Sequence, residues 1–344
     1  MPKVRVGLVF GGKSGEHEVS VRSAASIYRA LDKQKYDVRL VGVDKAGQWH
    51  QVNQKWLPEG AQMKSLPSGD KTLVPQDEAV DVFFPIIHGT YGEDGSLQGL
   101  FELLNVAYVG AGVLGSAVGM DKDVMKRLLA QAGIPISRFV VLRDTDLSHV
   151  KKDIAVLGWP VFVKPVNMGS SVGISKVSNW KDLDSAVREA FQFDTKIIIE
   201  ETIKGREIEC SVLGNDQPQA SLPGEVVAKG EFYDYQAKYI DENGAQLIVP
   251  AKLTRRQITQ IQQLAIKAFQ ALECEGMARV DMFLQPNGRI VINEINTLPG
   301  FTSISMYPKL WEVSGLKYSK LLDKLISLAL ARQKKKDRLK RSYA

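Results

Sequence analysis

The sequence predicts an α/β protein: a parallel sheet covered by helices over residues 1–121, then units of α+β character over 122–203 and 204–331. Three observations predict it. Short apolar runs alternate with helically spaced segments through the first third, as in a parallel sheet with helices on its faces. A β-rich centre, Trp159–Val177, is bracketed by amphipathic segments. Two later apolar runs within Met277–Asn296 are joined by Pro286-Asn287-Gly288, a hairpin signal. At about 100–200 residues per domain, a chain of 344 residues has room for two or three such units.

Element by element, Val4–Phe10 is an apolar run ending in Gly11-Gly12 and reads as a buried strand. Glu18–Leu31 has apolar residues at helical spacing. Asp37–Val43 and Val80–Ile87 read as further strands and Ser96–Leu104 as a helix. The polar Gly47–Asp77 stretch lacks periodicity and reads as an irregular surface insertion. Helices are expected near Asp121–Ala132 and Asn179–Phe193, with a strand at Lys196–Glu201 closing the second unit. The third opens with a strand at Arg206–Leu213 and passes through a long loop. A helix over Thr254–Leu272 follows, with Thr254 as a good N-cap. An amphipathic helix, Lys317–Leu330, ends the predicted fold.

Composition narrows the functional classes. The chain is 24% charged and 44% hydrophobic, an ordinary globular mix. Its net charge of +6 suggests a polyanion partner until it is located. Seven of the 45 Lys/Arg and one of the 39 Asp/Glu fall within Arg332–Arg341, leaving 38 of each sign elsewhere. The body is therefore neutral, no nucleic acid is expected to bind it, and residues 332–344 are expected to form a disordered basic tail. Two cysteines, Cys210 and Cys274, exclude a disulfide scaffold and a tetrathiolate zinc site. No apolar run approaches the ~18 residues of a membrane span, and the first residues do not resemble a secretion signal. A cytoplasmic protein is expected.

Two familiar motifs match and are rejected. Gly7–Ser14 fits GxxxxGK[ST], but Leu8, Val9 and Phe10 belong to the predicted strand and leave no loop to wrap phosphates. Gly110–Gly115 fits GxGxxG, but no acidic residue lies in 129–136, where a dinucleotide site would want one. A tight turn into a helix is expected there instead, and no nicotinamide cofactor.

Four other features converge on phosphate chemistry. Lys164 ends an apolar run and precedes the Gly/Ser loop Asn167–Gly173, a point charge beside backbone and hydroxyl donors suited to a polyphosphate. Arg279 and Asp281 share one face of their strand at period two, as do Glu294 and Asn296 on theirs. Pairing across the turn would gather two carboxylates and an amide oxygen, hard ligands for Mg²⁺ bridged to phosphates. A salt bridge from Arg279 to Asp281 or Glu294 is the alternative. Ile197–Ile203 leaves an apolar run for polar residues and reads either as a hinge that holds a nucleoside or as an edge strand with exposed acids. Finally, His88 with Gly89–Gly95, and Glu16 with His17, follow the ends of predicted parallel strands, where ligands bind in such sheets.

Seven strings in order, GGKSGEHEVS (11–20), HGTYGEDGSLQG (88–99), MDK (120–122), KPVNMGSSVGISKV (164–177), FYDYQAKY (232–239), RVD (279–281) and NEINTLPGFTSISM (293–306), resemble the D-alanine–D-alanine ligases of the ATP-grasp superfamily. The resemblance spans about 3–330. It implies an ATP-grasp fold behind an N-terminal, Rossmann-like substrate-binding domain, and ATP with two Mg²⁺ or Mn²⁺ ions. It further implies D-alanine as substrate, a homodimer and a place in peptidoglycan precursor synthesis. By resemblance, Lys122 and Lys164 contact the ATP phosphates, with Ser170 and Ser171 in the lid above. Glu200 and Ile203 hold adenine, and Glu207 the ribose. Asp281, Glu294 and Asn296 hold the metals. Glu16 binds the first D-alanine's ammonium, His88 lies near its carboxylate, and Tyr239 closes a cluster with Glu16 and Ser170. Arg279 and the Gly300 N–H stabilise the tetrahedral oxyanion, and Ser305 and the Met306 N–H take the second carboxylate. The FYDYQAKY form implies D-alanine rather than D-lactate as the second substrate. A D-lactate-using ligase or another ATP-grasp carboxylate–amine ligase is the alternative.

Overall fold

The computed structural model describes residues 2–58, 79–228 and 245–340. Its first unit contains β1 (Val4–Gly11), α1 (His17–Ala30), β2 (Tyr36–Val43), β3 (Trp49–Gln51), β4 (Val82–Pro85), α2 (Ser96–Leu103), β5 (Ala107–Tyr108) and α3 (Val113–Met120). The sheet runs β3-β2-β1-β4-β5. β1 is parallel to β2 and β4, β4 is parallel to β5, and β3 turns back antiparallel. β1 is central and covered on both faces: Val6, Leu8 and Phe10 enter one core cluster and Val9 another. That accounts for its unbroken apolar run. Leu8–Phe10 are strand throughout, so the GxxxxGK[ST] match forms no phosphate loop. Gly110–Gly115 leads into α3, as expected. Gly115 is small for packing, because a Cβ there would lie 2.9 Å from the Glu273 carbonyl oxygen. Within the stretch expected to be irregular, β3 is an added edge strand and Gln54–Trp56 a 3₁₀ turn. Residues 59–78 of that stretch lie outside the described residues.

The second unit holds α4 (Lys122–Gln131), β6 (Phe139–Leu142), α5 (Lys151–Leu157), β7 (Val161–Pro165), β8 (Ser175–Val177), α6 (Trp180–Ala190) and β9 (Ile197–Glu201). Its strands form an antiparallel sheet, β6-β9-β7-β8. The Asn179 side chain caps α6 by accepting from the Lys181 and Asp182 amides.

The third unit holds β10 (Arg206–Gly214), β11 (Gln219–Ala220), β12 (Gly224–Ala228), β13 (Ala245–Ile248), α7 (Arg255–Ala271), β14 (Gly276–Leu284), β15 (Ile290–Asn296), α8 (Met306–Val313) and α9 (Tyr318–Lys336). The sheet order is β13-β12-β10-β14-β15, with β11 paired to β10. α7 starts in a capping box between Thr254 and Gln257. The β14–β15 hairpin turns at 286–288, with Gly288 at φ +84°. Along β14, buried Val280 and Met282 alternate with partly exposed Arg279 and Asp281, and on β15 Ile292 and Ile295 are buried while Asn293, Glu294 and Asn296 are partly exposed, so one face enters the core and the other is left for chemistry.

Packing redraws two expected boundaries. The region from 122 was assigned to the central unit, yet Met125, Leu129 and Ile134 pack with β10, β14 and α7 in the third unit's core. The central unit's own cluster begins at Leu142. The basic segment from Arg332, expected to be a disordered tail, is helical as far as Lys336. The physical reason is Arg332, 5% exposed: its Nη1 and Nη2 each donate at 2.7 Å, to the carbonyls of Gly110 and Tyr108, and its guanidinium lies 4.3 Å above the Tyr108 ring. Trp311, Leu321, Leu325 and Ala329 share a core cluster with β1 and α1, so α8 and α9 join the third unit to the first. Among the described residues, no helix is long and apolar enough to cross a membrane.

Candidate active site

A cleft of about 960 Å³ opens where the three units meet. Apart from Tyr239, every site residue that the resemblance implies lines it; His17, expected beside Glu16 at the strand end, is instead fully buried with Nδ1 2.7 Å from the Gly12 carbonyl oxygen. Tyr239 and the FYDYQAKY string lie outside the described residues.

At one end the central sheet supplies a charge cluster. Lys164 on β7 and Glu200 on neighbouring β9 meet at 2.5 Å. Glu200 is 3% exposed, and its second oxygen meets Lys126 Nζ at 2.5 Å and accepts from Ser137 Oγ at 2.8 Å. Burial alone would raise the Glu200 pKa. The two ammonium groups outweigh it and hold the carboxyl far below the usual range. Both Glu200 oxygens are therefore engaged within the protein, and a base at the hinge would meet their remaining lone pairs or the backbone toward Ile203. Ile203 and Glu207 border the cleft on the strands' next turn and on β10. Lys122, the first residue of α4, donates from Nζ to the Met168 carbonyl at 2.6 Å and so touches the base of the Gly/Ser loop. Ser170 and Ser171 in that loop have φ of 51° and 61°, a left-handed backbone that non-glycine residues adopt only when held.

The β14–β15 hairpin supplies the floor. Its register pairs Arg279 with Asn296 and Asp281 with Glu294, so the four side chains that were expected to meet share one face. After that pair the register slips at Asn293, so Met282 faces Ile292. Arg279 donates Nε and Nη2 to the two oxygens of Asp281, at 2.7 and 2.6 Å, and lies 2.9 Å from Glu209. Asn296 Nδ2 donates to Asp281 at 2.9 Å, which leaves its amide oxygen as an acceptor. Burial works against the Arg279 charge, but Asp281, Glu209 and Glu294 together raise its pKa well above the ordinary value. The alternative drawn from the sequence, an Arg279–Asp281 ion pair, is thus present on the same face as the two expected acceptors, Glu294 and Asn296.

The other end is built from loops. Glu16 immediately precedes α1 and accepts from Ser170 Oγ at 2.5 Å, joining the first unit to the central loop. His88 follows β4 and is 3% exposed. Its Nδ1 faces the Leu298 carbonyl at 3.2 Å and Glu93 at 3.5 Å, and its Nε2 lies 3.2 Å from Ser23 Oγ. Burial would lower its pKa, but hydrogen bonding to Glu93 and the Glu93 and Glu16 charges raise it. Glu93 is raised in turn, chiefly by burial. Ser23 Oγ also accepts from the Phe301 amide at 3.3 Å and so anchors the Gly300 loop to α1. A Cβ at Gly300 would lie 2.7 Å from Ser305 Oγ, so glycine permits that loop to fold against α8. Ser305 does not cap α8 with its side chain; its Oγ accepts from the Thr302 amide at 3.0 Å. The start of α8, with Met306 its first residue, is left facing the cleft, a setting that favours a carboxylate.

A family model described as "D-ala D-ala ligase N-terminus" matches residues 5–111, and one described as "D-ala D-ala ligase C-terminus" matches 128–327. The chain belongs to the D-alanine–D-alanine ligase family. It is 50% identical over a 361-residue alignment to the D-alanine–D-alanine ligase of Oceanobacillus iheyensis, and 52% over 363 to D-alanine–D-alanine ligase A of Salmonella typhimurium, covering 99% of both chains each time. Among solved structures, the D-alanine–D-alanine ligase from Coxiella burnetii superposes with a TM-score of 0.86 at 40% identity, covering 98% of this chain and 97% of that one. The VanG D-Ala:D-Ser ligase from Enterococcus faecalis superposes at 0.83 with 36% identity, covering 95% and 100%. This ligase therefore has the ATP-grasp fold, and its parallel-sheet unit is the family's N-terminal domain.

Four residues in or just behind this ligase's cleft carry no role in the sequence reading: Glu93 and Glu209 line it, and Ser23 and Lys126 stand behind it. Glu93 sits inside the quoted string 88–99, so its position was visible and only its contact with His88 was not. Glu209 lies on the same face of β10 as Glu207, two positions away. Ser23 and Lys126 sit on the inward faces of α1 and α4, where nothing in a linear pattern separates a functional side chain from a packed one.

Proposed function

We propose that this ligase joins two D-alanines with ATP through a D-alanyl phosphate, supplying the dipeptide for peptidoglycan precursors in the cytoplasm, and that it acts as a homodimer. The observation that carries the reading is the cleft itself, which gathers the Glu16 carboxylate, Lys122 and Lys164, and the two-carboxylate hairpin of Asp281 and Glu294. The chemistry needs each part. A carboxylate is a poor electrophile, so an oxygen of the first D-alanine attacks the γ-phosphorus and ADP leaves. The second amine, having lost a proton, attacks the acyl carbon; the C–O bond breaks, phosphate departs and the nitrogen sheds its second excess proton. No step calls for a protein nucleophile, and positioning and electrostatics carry the reaction.

Glu16, steadied by Ser170, binds the first ammonium, and His88 lies toward its carboxylate. Lys122 and Lys164 meet the phosphates, with Ser171 above; Glu200 and Ile203 hold adenine and Glu207 the ribose. Arg279 and the Gly300 N–H face the oxyanion. Ser305 and the Met306 N–H, at the start of α8, take the second carboxylate. The FYDYQAKY string that contains Tyr239, by its resemblance to the family's, favours an amine over D-lactate. Asp281, Glu294 and Asn296 fit a hard divalent ion in their donor atoms. Two Mg²⁺ or Mn²⁺ ions bound there would neutralise charge on the transferred phosphoryl group. Closure of the Gly/Ser loop over the cleft would keep water from the acyl phosphate.

The test is mass detection of product in a reaction holding ATP, Mg²⁺ and D-alanine, with D-serine and D-lactate as competing second substrates. We expect D-alanyl-D-alanine to form with one ADP released per peptide bond. Preferential coupling to D-lactate or D-serine, or ATP hydrolysis without dipeptide, would overturn the assignment.

A further inference from the structure

Lys126 is a lysine the reaction scheme leaves without a task. It is 1% exposed, lies on the inward face of α4 and does not border the cleft. Its Nζ meets Glu200 Oε1 at 2.5 Å and donates to Ser137 Oγ at 2.8 Å. Glu200 Oε2 meets Lys164 at 2.5 Å from the opposite side, and Lys164 does border the cleft, 14% exposed. One carboxylate thus lies between two ammonium groups, and the trio carries a net charge of +1. A stability argument alone does not call for this. Glu200 and Lys164 would form a neutral pair by themselves, and burying a second ammonium behind them adds a desolvation cost. What the second ammonium changes is the balance. With Glu200 neutralised from behind, the surplus charge appears at the group that faces the nucleotide.

We propose that Lys126 is a positioning residue of the nucleotide site: it cancels Glu200 from the buried side, so that Lys164 presents an uncompensated charge to the phosphates of ATP. The inference rests on the ATP-dependent reading above. Without Lys126, Lys164 and Glu200 close on each other as a neutral pair, and the cleft loses a cation without losing any residue that lines it.

The experiment compares ADP with adenosine, which share the base and ribose and differ in the phosphates. Lys126→Met should weaken ADP binding about tenfold, the order of one lost charge-assisted contact. Adenosine affinity and the KM for D-alanine should stay at their wild-type values. A structural defect would weaken both nucleoside and nucleotide. The double variant Lys126→Met/Glu200→Gln restores the net +1, and its ratio of ADP to adenosine affinity should return to that of the wild type. It removes the buried carboxylate together with its buried partner and leaves only the cleft-facing Lys164 charged, so it serves as the reading if the single variant does not fold. Equal losses for ADP and adenosine, no loss at all, or a double variant whose ratio remains depressed would each overturn the proposal. Wild-type enzyme assayed first with ATP and D-alanine separates the two readings. A wild type that forms no dipeptide refutes the ligase assignment and leaves the ADP-to-adenosine comparison interpretable by itself.

Discussion

At the end of the cleft that the proposed reading gives to the nucleotide, the charged groups come from neighbouring strands of one sheet and the helix and turn behind it. Lys164 and Glu200 sit on adjacent strands, with Lys126 and Ser137 beneath them, and each ammonium meets the carboxylate at 2.5 Å. At the amino-acid end, the partners are distant in sequence and ride on loops. Glu16 accepts from Ser170, 154 positions away, and His88 reaches the Leu298 carbonyl 210 positions away. The difference teaches how the work is divided. Sheet hydrogen bonding and burial hold the first set before any ligand arrives. In the second set the Glu16–Ser170 contact exists only while the Gly/Ser loop rests on the first unit, in a backbone that Ser170 and Ser171 adopt against their own preference. Nucleotide affinity should therefore be a property of the scaffold, and amino-acid affinity a property of how the units meet.

The hairpin floor lies under both ends, so damage there should erase the comparison most completely. Glu294→Gln keeps the shape and removes a charge. Turnover should fall on the order of a hundred- to a thousandfold, the size expected when one preorganised electrostatic element is lost. Steady-state kinetics over a range of Mg²⁺ concentrations would check it, and activity within tenfold of wild type would remove Glu294 from the metal role. Ser170→Ala should sharpen the comparison, because it cuts the link between units and leaves the nucleotide cluster intact. Loss of a hydrogen bond to a carboxylate, about 1.5–3 kcal/mol, should lower kcat/KM for D-alanine by roughly ten- to a hundredfold, with KM for ATP unchanged. A matching rise in KM for ATP would show the two ends to be one. The smallest effect on catalysis is expected far from the cleft. Arg332→Ala leaves the Gly110 and Tyr108 carbonyls without their donor and should cost about 2–4 kcal/mol of stability, read by denaturant melts. The relative KM values for ATP and D-alanine should not move, and a shift in either would mean that the α9 joint also sets the cleft.

The contrast between the two ends also explains what could be read from the chain. The hairpin floor was legible in part: period-two alternation puts Arg279 and Asp281 on one face of β14 and Glu294 and Asn296 on one face of β15, but plain counting from the Pro-Asn-Gly turn sets Asp281 opposite Asn293, and only the slip at Asn293 brings it opposite Glu294. Lys164 and the Gly/Ser loop were legible for the same local reason. Lys126 was not, since a lysine on a helix face reads as solvated until the helix is packed, and α4 turns it inward against Glu200. The basic run from Arg332 was misread in the same way. Counted as a string it is a tail, but in the fold its first residue donates to two carbonyls of the N-terminal sheet unit and the helix continues through Lys336.

What the sequence determined by itself is the local grammar: the alternation of strands and helices, the capping residues, the hairpin turn, and motif strings specific enough to declare the family. These depend on residues a few positions apart, where periodicity and turn chemistry act directly. Only the tertiary structure decided which distant charges meet. It gave Glu200 two lysines, seated His88 between Glu93 and Ser23, fused the first and third units into one core, and drew the basic helix into the body. Each of those outcomes rests on burial. A charge removed from water must find a partner wherever the fold brings one, and no spacing in the chain says in advance which one that will be.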